Sequence, residues 1–286
     1  MAPLSRTLSF EKYQGIGNDF IVIDAEDDGI VSPDLAAKLC DRRFGVGGDG
    51  VILVLPGGPS ALARMRVLNA DGSIPEMCGN GIRCMALHVA RHHTRASRGE
   101  RVLDATFETD AGPRRCHVEL DGDENRAADV TVDMGVVRIL GNRRISLPGE
   151  KSEWSEIDLV EVNVGNPHAV SLRRPSAEEI DRIGPRLATH EAFPEGANIG
   201  FARVQDRGFL DLVVWERGVG LTLACGTGAC AAVAAACSRD LAPWGSPVTV
   251  RLPGGPLTIW VEGDGGRAKM RGGARHVYSG RVDVAG

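Results

Sequence analysis

From residue 8 to 24, β-forming residues alternate with polar ones on both sides of Gly15-Ile16-Gly17-Asn18, which predicts two strands joined by a tight turn. Ser32-Pro33-Asp34 opens a helix, with Ser32 as N-cap and Pro33 in the first helical position, running to about Phe44. Apolar runs at 51–55 and 63–68 predict strands divided by Pro56-Gly57-Gly58-Pro59. The turn signal Asn69-Ala70-Asp71-Gly72 follows, then a helix to about His93. Strands are expected near 101–107, 113–120, 129–134, 158–164 and 168–172, with a capping-box helix opening at Ser176 and Glu179. Strands near 198–204 and 209–215 lead into a helix over 226–238, and the remainder is strand-like. The helices beginning after Cys78 and Cys225 carry little charge on any face, so each belongs inside a core.

Those two helices open on the same device. Met77-Cys78-Gly79-Asn80-Gly81 and Ala224-Cys225-Gly226-Thr227-Gly228 each read as Cys, then Gly-X-Gly, then a small and apolar series, 147 positions apart (225 minus 78). Gly17-Asn18 resembles Gly165-Asn166 at an offset of 148 (165 minus 17), and Gly50-Val51 resembles Gly200-Phe201 at 150 (200 minus 50). Three matches in the same order point to an internal duplication. The expected fold is α+β: two pseudo-repeated domains, each a bent, mostly antiparallel sheet wrapped around a central helix. The first spans 1–126, with the terminal strand 274–286 added to it, and the second spans 127–273. The polar stretch Asp121-Gly122-Asp123-Glu124-Asn125 marks the crossover.

Composition narrows the function classes. The 286 residues suit two modest domains. A net charge of −5, with scattered basic residues, leaves no electrostatic footprint for nucleic acid. The densest basic cluster, Arg91 to Arg98, reads as a solvated helix end. No apolar run is long enough to cross a bilayer and no secretory pattern opens the chain. Seven cysteines, an odd number, argue against a disulfide framework and for the cytoplasm.

The candidate chemistry lies in the duplicated cysteines. Cys40, Cys84, Cys116, Cys230 and Cys237 read as small core residues. Cys78 and Cys225 precede helix starts, where unpaired N–H groups and a partial positive charge welcome a carboxylate and favour thiolate. Their spacing suits neither a zinc knuckle nor a redox Cys-X-X-Cys pair, so no metal is expected. The four lysines, Lys12, Lys38, Lys151 and Lys269, stand in no phosphate-binding context, so no pyridoxal cofactor is expected either. If the two copies faced one ligand, one thiolate would take a proton from a carbon next to a carboxylate. The other thiol would deliver a proton to the opposite face. Gly79, Asn80, Gly226 and Thr227 would supply N–H groups to the developing negative charge.

Gly15-Ile16-Gly17-Asn18-Asp19-Phe20, Asn69-Ala70-Asp71-Gly72, Glu76 to Cys84, Gly165-Asn166-Pro167-His168, Ala197-Asn198-Ile199-Gly200 and Trp215-Glu216-Arg217-Gly218 with Ala224 to Gly228 together resemble the diaminopimelate epimerase family over nearly the whole chain. The resemblance implies cofactor-free interconversion of LL- and meso-diaminopimelate, in lysine and cell-wall precursor synthesis, by a homodimer. It implies that Cys78 and Cys225 are the acid/base thiols and that His168 and Glu216 bias their protonation. Asn18, Asn69, Asn166, Asn198, Glu216 and Arg217 would contact the diamino dicarboxylic substrate. Read on their own, Asn18 and Asn166 could equally hold left-handed turns after glycine, and Glu216-Arg217 could be an exposed pair. The chain departs from the family pattern at Gly50, Leu221 and Ile74-Pro75. Two alternatives stay open: a proline or hydroxyproline epimerase, and a carboxylate-binding module without chemistry.

Overall fold

The computed structural model describes residues 5–75, 77–93, 101–122 and 126–285. Glu76, Asp123 to Asn125 and Arg95 to Arg98, which figured in the readings above, lie outside them. The chain divides into two compact units, Met1–Val132 with Gly272–Gly286, and Asp133–Arg271.

The first unit holds β1 (Ser5–Gly15), β2 (Asn18–Asp24), α1 (Pro33–Cys40), β3 (Gly50–Pro56), β4 (Ala63–Asn69), α2 (Gly79–His93), β5 (Val102–Glu108) and β6 (Arg114–Asp121). It also takes most of β7 (Ala127–Val136) and the C-terminal part of β16 (Arg267–Ala285). The second unit holds β8 (Arg138–Ser146), β9 (Glu156–Asn163), β10 (Pro167–Ser171), α3 (Ala177–Ala188), β11 (Asn198–Asp206) and β12 (Phe209–Glu216). Next come β13 (Gly220–Thr222), α4 (Gly226–Cys237), β14 (Val248–Leu252), β15 (Gly255–Val261) and the opening of β16.

Each unit is α+β, and the two topologies repeat. Within the first unit the strand order is β16-β1-β2-β3-β4-β5-β6-β7, with β7 also beside β16, and within the second it is β8-β9-β10-β11-β12-β14-β15-β16, with β13 paired to β12. In the first, β2/β3 and β4/β5 are parallel, and the other registered pairs are antiparallel. In the second, β10/β11 and β12/β14 take the same two parallel places. A parallel pair needs a crossover, and helices supply all four: α1 and α3 at one place in the repeat, α2 and α4 at the other.

Register corrects one of the three sequence offsets. Phe20 pairs with Gly50 and His168 with Asn198, so position 50 corresponds to 198, an offset of 148 (198 minus 50), and not to 200. Val51 opposite Leu68 likewise corresponds to Ile199 opposite Trp215.

Both Cys-led helices pack inside their own sheets. Every residue of α4 except Thr227 is buried. α2 is buried from Gly79 to Ala90, yet contrary to the expectation of a nearly uncharged helix it takes Arg83 and His88 inside. Its Arg91, expected to be solvated, donates to Glu11 Oε2 at 2.7 Å. α1 opens as expected, with Ser32 Oγ accepting from Leu35 N, but stops at Cys40, short of Phe44. The Asp41 carboxylate accepts from Arg43 N at 2.7 Å and Phe44 N at 2.8 Å, taking N–H groups that a longer helix would have used. The capping box of α3 forms, Ser176 and Glu179 each bonding the other's backbone N–H.

Buried Gly184 of α3 lies against Trp215, the residue before Glu216; a Cβ at 184 would sit 2.8 Å from the indole ring. Alanine would gain about 1 kcal/mol of helix propensity, while overpacking against a rigid ring costs about 1–3 kcal/mol. Gly184→Ala is therefore expected to lower the urea-denaturation midpoint of the second unit; an unchanged or raised midpoint would show that Trp215 yields freely.

Candidate active site

In the first unit, Cys78 caps α2. Its carbonyl accepts from Ile82 N at 2.9 Å and its Sγ accepts from Gly81 N at 3.3 Å. In the second, Cys225 does the same for α4: its carbonyl accepts from Ala229 N at 3.0 Å and its Sγ from Gly228 N at 3.4 Å. The glycine three residues on leaves the sulfur its space. A Cβ at 81 would lie 3.3 Å from Cys78 Sγ and 3.2 Å from Ile52, and one at 228 would lie 3.2 Å from Cys225 Sγ and 2.9 Å from Val214. An N–H aimed at sulfur favours the thiolate.

Around Cys78 the first unit builds a polar chain. Asn80 Nδ2 donates to Asn18 Oδ1 at 3.2 Å, and Asn18 Nδ2 donates to Asp49 Oδ2. Arg83 Nη2 donates to Asn80 Oδ1 at 3.0 Å from a fully buried position. Burial draws the Arg83 guanidinium down from its ordinary pKa, and the charges available to Cys84 and Cys78 oppose that. Asp49 also accepts from Asp19 N at 3.0 Å and, through its carbonyl, from Ala70 N at 3.1 Å, so it ties Asn18 to the strand end that carries Asn69. Asn69 turns its amide to Ser73 Oγ at 2.9 Å. Positive φ falls on Ile16 (47°) and Gly17 (84°), and in the other unit on Gly165 (91°), not on Asn18 or Asn166. The turn-holding reading of those two asparagines therefore loses its basis. Gly50 has no room for a side chain, since a Cβ would meet Leu68 O at 2.7 Å.

Around Cys225 the second unit places different groups. Cys225 is buried, and its thiol is pushed well above the ordinary range, first by burial and then by the Glu216 carboxylate; Thr227 Oγ1 at 3.6 Å and Gly228 N oppose the rise. Burial raises the Glu216 carboxyl too, against a 2.6 Å bond from Thr222 Oγ1. The helix-terminus expectation of a thiolate therefore fails at Cys225 for the resting enzyme. His168 is buried and held near pKa 3 by desolvation, hence neutral; its Nε2 faces Asn166 Oδ1 at 3.0 Å, while its buried Nδ1 has no hydrogen-bond partner among the described residues. Asn198 Nδ2 donates to Pro167 O at 3.2 Å, and its Oδ1 accepts from Arg217 N at 3.0 Å. Arg217 is exposed, with Nη1 on Glu195 O at 2.5 Å.

Each unit thus gathers its own expected residues: Asn18, Asn69, Cys78, Gly79 and Asn80 in one, and Asn166, His168, Asn198, Glu216, Arg217, Cys225, Gly226 and Thr227 in the other. Sequence reasoning passed over Asp49, Arg83 and Thr222. The repeat could have flagged Arg83, because the position 147 residues on is Cys230 and a cation there is peculiar to one copy.

The profile of the diaminopimelate epimerase family matches residues 10–140 and 160–277. The chain belongs to the diaminopimelate epimerase family. It is 43% identical over 294 aligned residues to the diaminopimelate epimerase of Synechococcus sp. (strain JA-3-3Ab), covering 96% of this chain and 97% of the relative. It is 41% identical to the chloroplastic diaminopimelate epimerase of Oryza sativa subsp. japonica, covering 96% and 80%. Among solved structures, a hydroxyproline epimerase from Agrobacterium vitis with bound trans-4-hydroxy-L-proline superposes with TM-score 0.73 at 16% identity, covering 100% and 93%. A methylitaconate-delta-isomerase superposes with TM-score 0.64 at 14% identity, covering 98% and 96%. At such identities these two share the fold of this chain and nothing finer.

The two thiols should differ in reactivity. Cys78 is half-buried beside a fixed cation, whereas Cys225 is buried beside a carboxylate. Peptide mapping after brief iodoacetamide treatment at pH 8 is expected to find Cys78 alkylated at least about tenfold faster. Glu216→Gln removes the charge that raises the Cys225 thiol, so its thiolate forms at lower pH and its alkylation speeds up. Equal rates at the two cysteines, or no change in the variant, would contradict this electrostatic picture.

Proposed function

We propose that this chain interconverts LL- and meso-diaminopimelate with Cys78 and Cys225 as its two acid/base groups, each thiol serving one face of the substrate's α-carbon. The supporting observation is the duplicated cap: a cysteine at each helix start whose sulfur takes the N–H of the third residue on. Identity of about 40% to diaminopimelate epimerases over nearly the full chain fixes the substrate class. The enzyme is an isomerase, and its activity belongs to lysine biosynthesis.

The electrostatic settings differ. Cys78 shares its helix turn with the buried Arg83 guanidinium, and Cys225 is held as the thiol by burial and Glu216. In one direction Cys78 takes the α-proton and Cys225 gives one up; in reverse the roles exchange. Charge developing on the α-carboxylate is met by first-turn N–H groups of α2 and α4. The Asn80 side chain is held by Asn18 and Arg83. Neutral His168 contributes a fixed dipole and a buried acceptor, not a charge. Asn198 sets the backbone of Arg217, whose guanidinium grips a carboxylate bidentately. We further propose a cytoplasmic homodimer; sedimentation of the purified chain tests the assembly.

Cys78→Ser and Cys225→Ser should each abolish epimerisation, since a serine hydroxyl is a far weaker acid. Elimination from a β-halogenated substrate analogue needs proton removal from only one face, so each variant should retain it for one stereoisomer, and the two variants should prefer opposite isomers. One variant inactive on both isomers and the other active on both would mean a single base. Turnover of proline derivatives without turnover of diaminopimelate would overturn the substrate.

A further inference from the structure

On the face of the first unit formed by β1, β2 and the end of α2, three ligand-type side chains converge away from the cysteine cap. Glu11, His88 and His92 each offer a donor atom, and these atoms lie within 4.8 Å of one another. His88 and His92 are one helical turn apart on α2, so their imidazoles share a face, with ring centroids 4.6 Å apart. His92 Nε2 lies 3.0 Å from Glu11 Oε1, and His88 Nδ1 lies 3.4 Å from Glu11 Oε2. Donors about 2.0–2.1 Å from a tetrahedral ion stand about 3.3 Å apart; the three donor atoms, all within 4.8 Å of one another, would draw together by up to about 1.5 Å around an ion, with Glu11 binding through Oε1 or through both oxygens.

The surroundings arrange these groups as ligands. Asp24 Oδ1 lies 3.0 Å from His88 Nε2 and holds the ring with Nδ1 toward Glu11 and the Tyr13 hydroxyl, so an incoming cation would take the place of an Nδ1 proton. Arg91 Nη1, at 2.7 Å, and the Tyr13 hydroxyl both donate to Glu11 Oε2 and so fix the carboxylate with Oε1 facing His92. His88 is buried, Glu11 half-buried and His92 exposed, so the cluster is anchored on one side and open on the other. It opens into a groove of about 470 Å³ whose lining includes Ser9, Asp24, Ser279 and Arg281. A fourth ligand, water or a small anion, has room there.

We propose that Glu11, His88 and His92 bind a divalent transition-metal ion of the zinc class, clamping the end of α2 to β1. Two imidazoles and one carboxylate select zinc, cobalt(II) or nickel(II) over magnesium or calcium, which prefer all-oxygen shells. The Arg91 guanidinium beside Glu11 opposes a cation, so the site is weaker than one with a second carboxylate in its place. The clamp acts on stability and lies apart from the epimerase chemistry.

The thiols are the competing ligands, so the test uses a Cys78→Ala/Cys225→Ala double variant of the full chain. Titration calorimetry with zinc chloride should show one equivalent bound, and zinc should raise the melting temperature. Cobalt(II) should give visible bands of a nitrogen- and oxygen-ligated tetrahedral ion, without sulfur-to-cobalt charge transfer in the near ultraviolet. Adding His92→Ala, an exposed position whose loss spares the fold, should weaken binding at least tenfold and remove the melting shift; Glu11→Gln should do the same. His92→Ala alone, in the native-thiol chain, should leave epimerisation intact. If the double variant fails to fold, the cobalt spectrum of the native chain still separates nitrogen and oxygen ligands from thiolate. No binding in the double variant, unchanged affinity in His92→Ala, or only the thiolate spectrum would overturn the proposal.

Discussion

The arrangement depends on one contact made twice: the N–H of the third residue of a helix pointing at the sulfur that caps it. It favours glycine at 81 and 228, where a Cβ would crowd both the sulfur and the strand residue behind it, more severely at 228. It also requires the helix to begin inside a sheet, where the partial positive charge of its first turn is shielded from water and can face a carboxylate. The parallel pairs β4/β5 and β12/β14 follow, since only a crossover helix can start beneath the sheet and return the chain in the same direction. Duplication of the unit supplies the second copy.

Duplication alone would give two equivalent thiols, and a proton relay needs one loaded and one empty. The substitutions between copies provide the difference. Arg83 in one copy stands where Cys230 stands in the other, and the strand end that carries Asn69 in one carries Glu216 in the other. Burying a cation without compensation is expensive. Arg83 is held by Asn80 Oδ1 at 3.0 Å, and Gly15, whose Cβ would come within 3.1 Å of Nη2, leaves it space. Burial raises both Glu216 and Cys225; the Glu216 carboxylate raises the thiol further, while the hydrogen bond to Cys225 draws the carboxyl back down.

Much of this was legible in the sequence because local chemistry and global fold agree. The β1–β2 turn was announced by Gly17, α3 by Ser176 and Glu179, and both Cys-led helices by Gly-X-Gly before an apolar series. The strand β8 escaped because, at the end of its sheet, it buries only Ile145 fully and shows no clean alternation. Arg83 was passed over, since nothing local says that a charge in a largely apolar helix is buried. Asp49 sat in a glycine-rich loop and was invisible until the fold brought it to Asn18. Arg91 and His92 read as a solvated end because their partner, Glu11, is eighty residues away (91 minus 11).

The central claim, one thiol for each face, is tested most directly by running the reaction in deuterium oxide and analysing both isomers at low conversion. Two thiols predict deuterium at the α-carbon of the product from the first turnovers, with the unconverted substrate still fully protonated there. A single base would hand one proton back and forth, giving product that keeps the substrate hydrogen and deuterium that enters both isomers together. That second pattern would contradict the account.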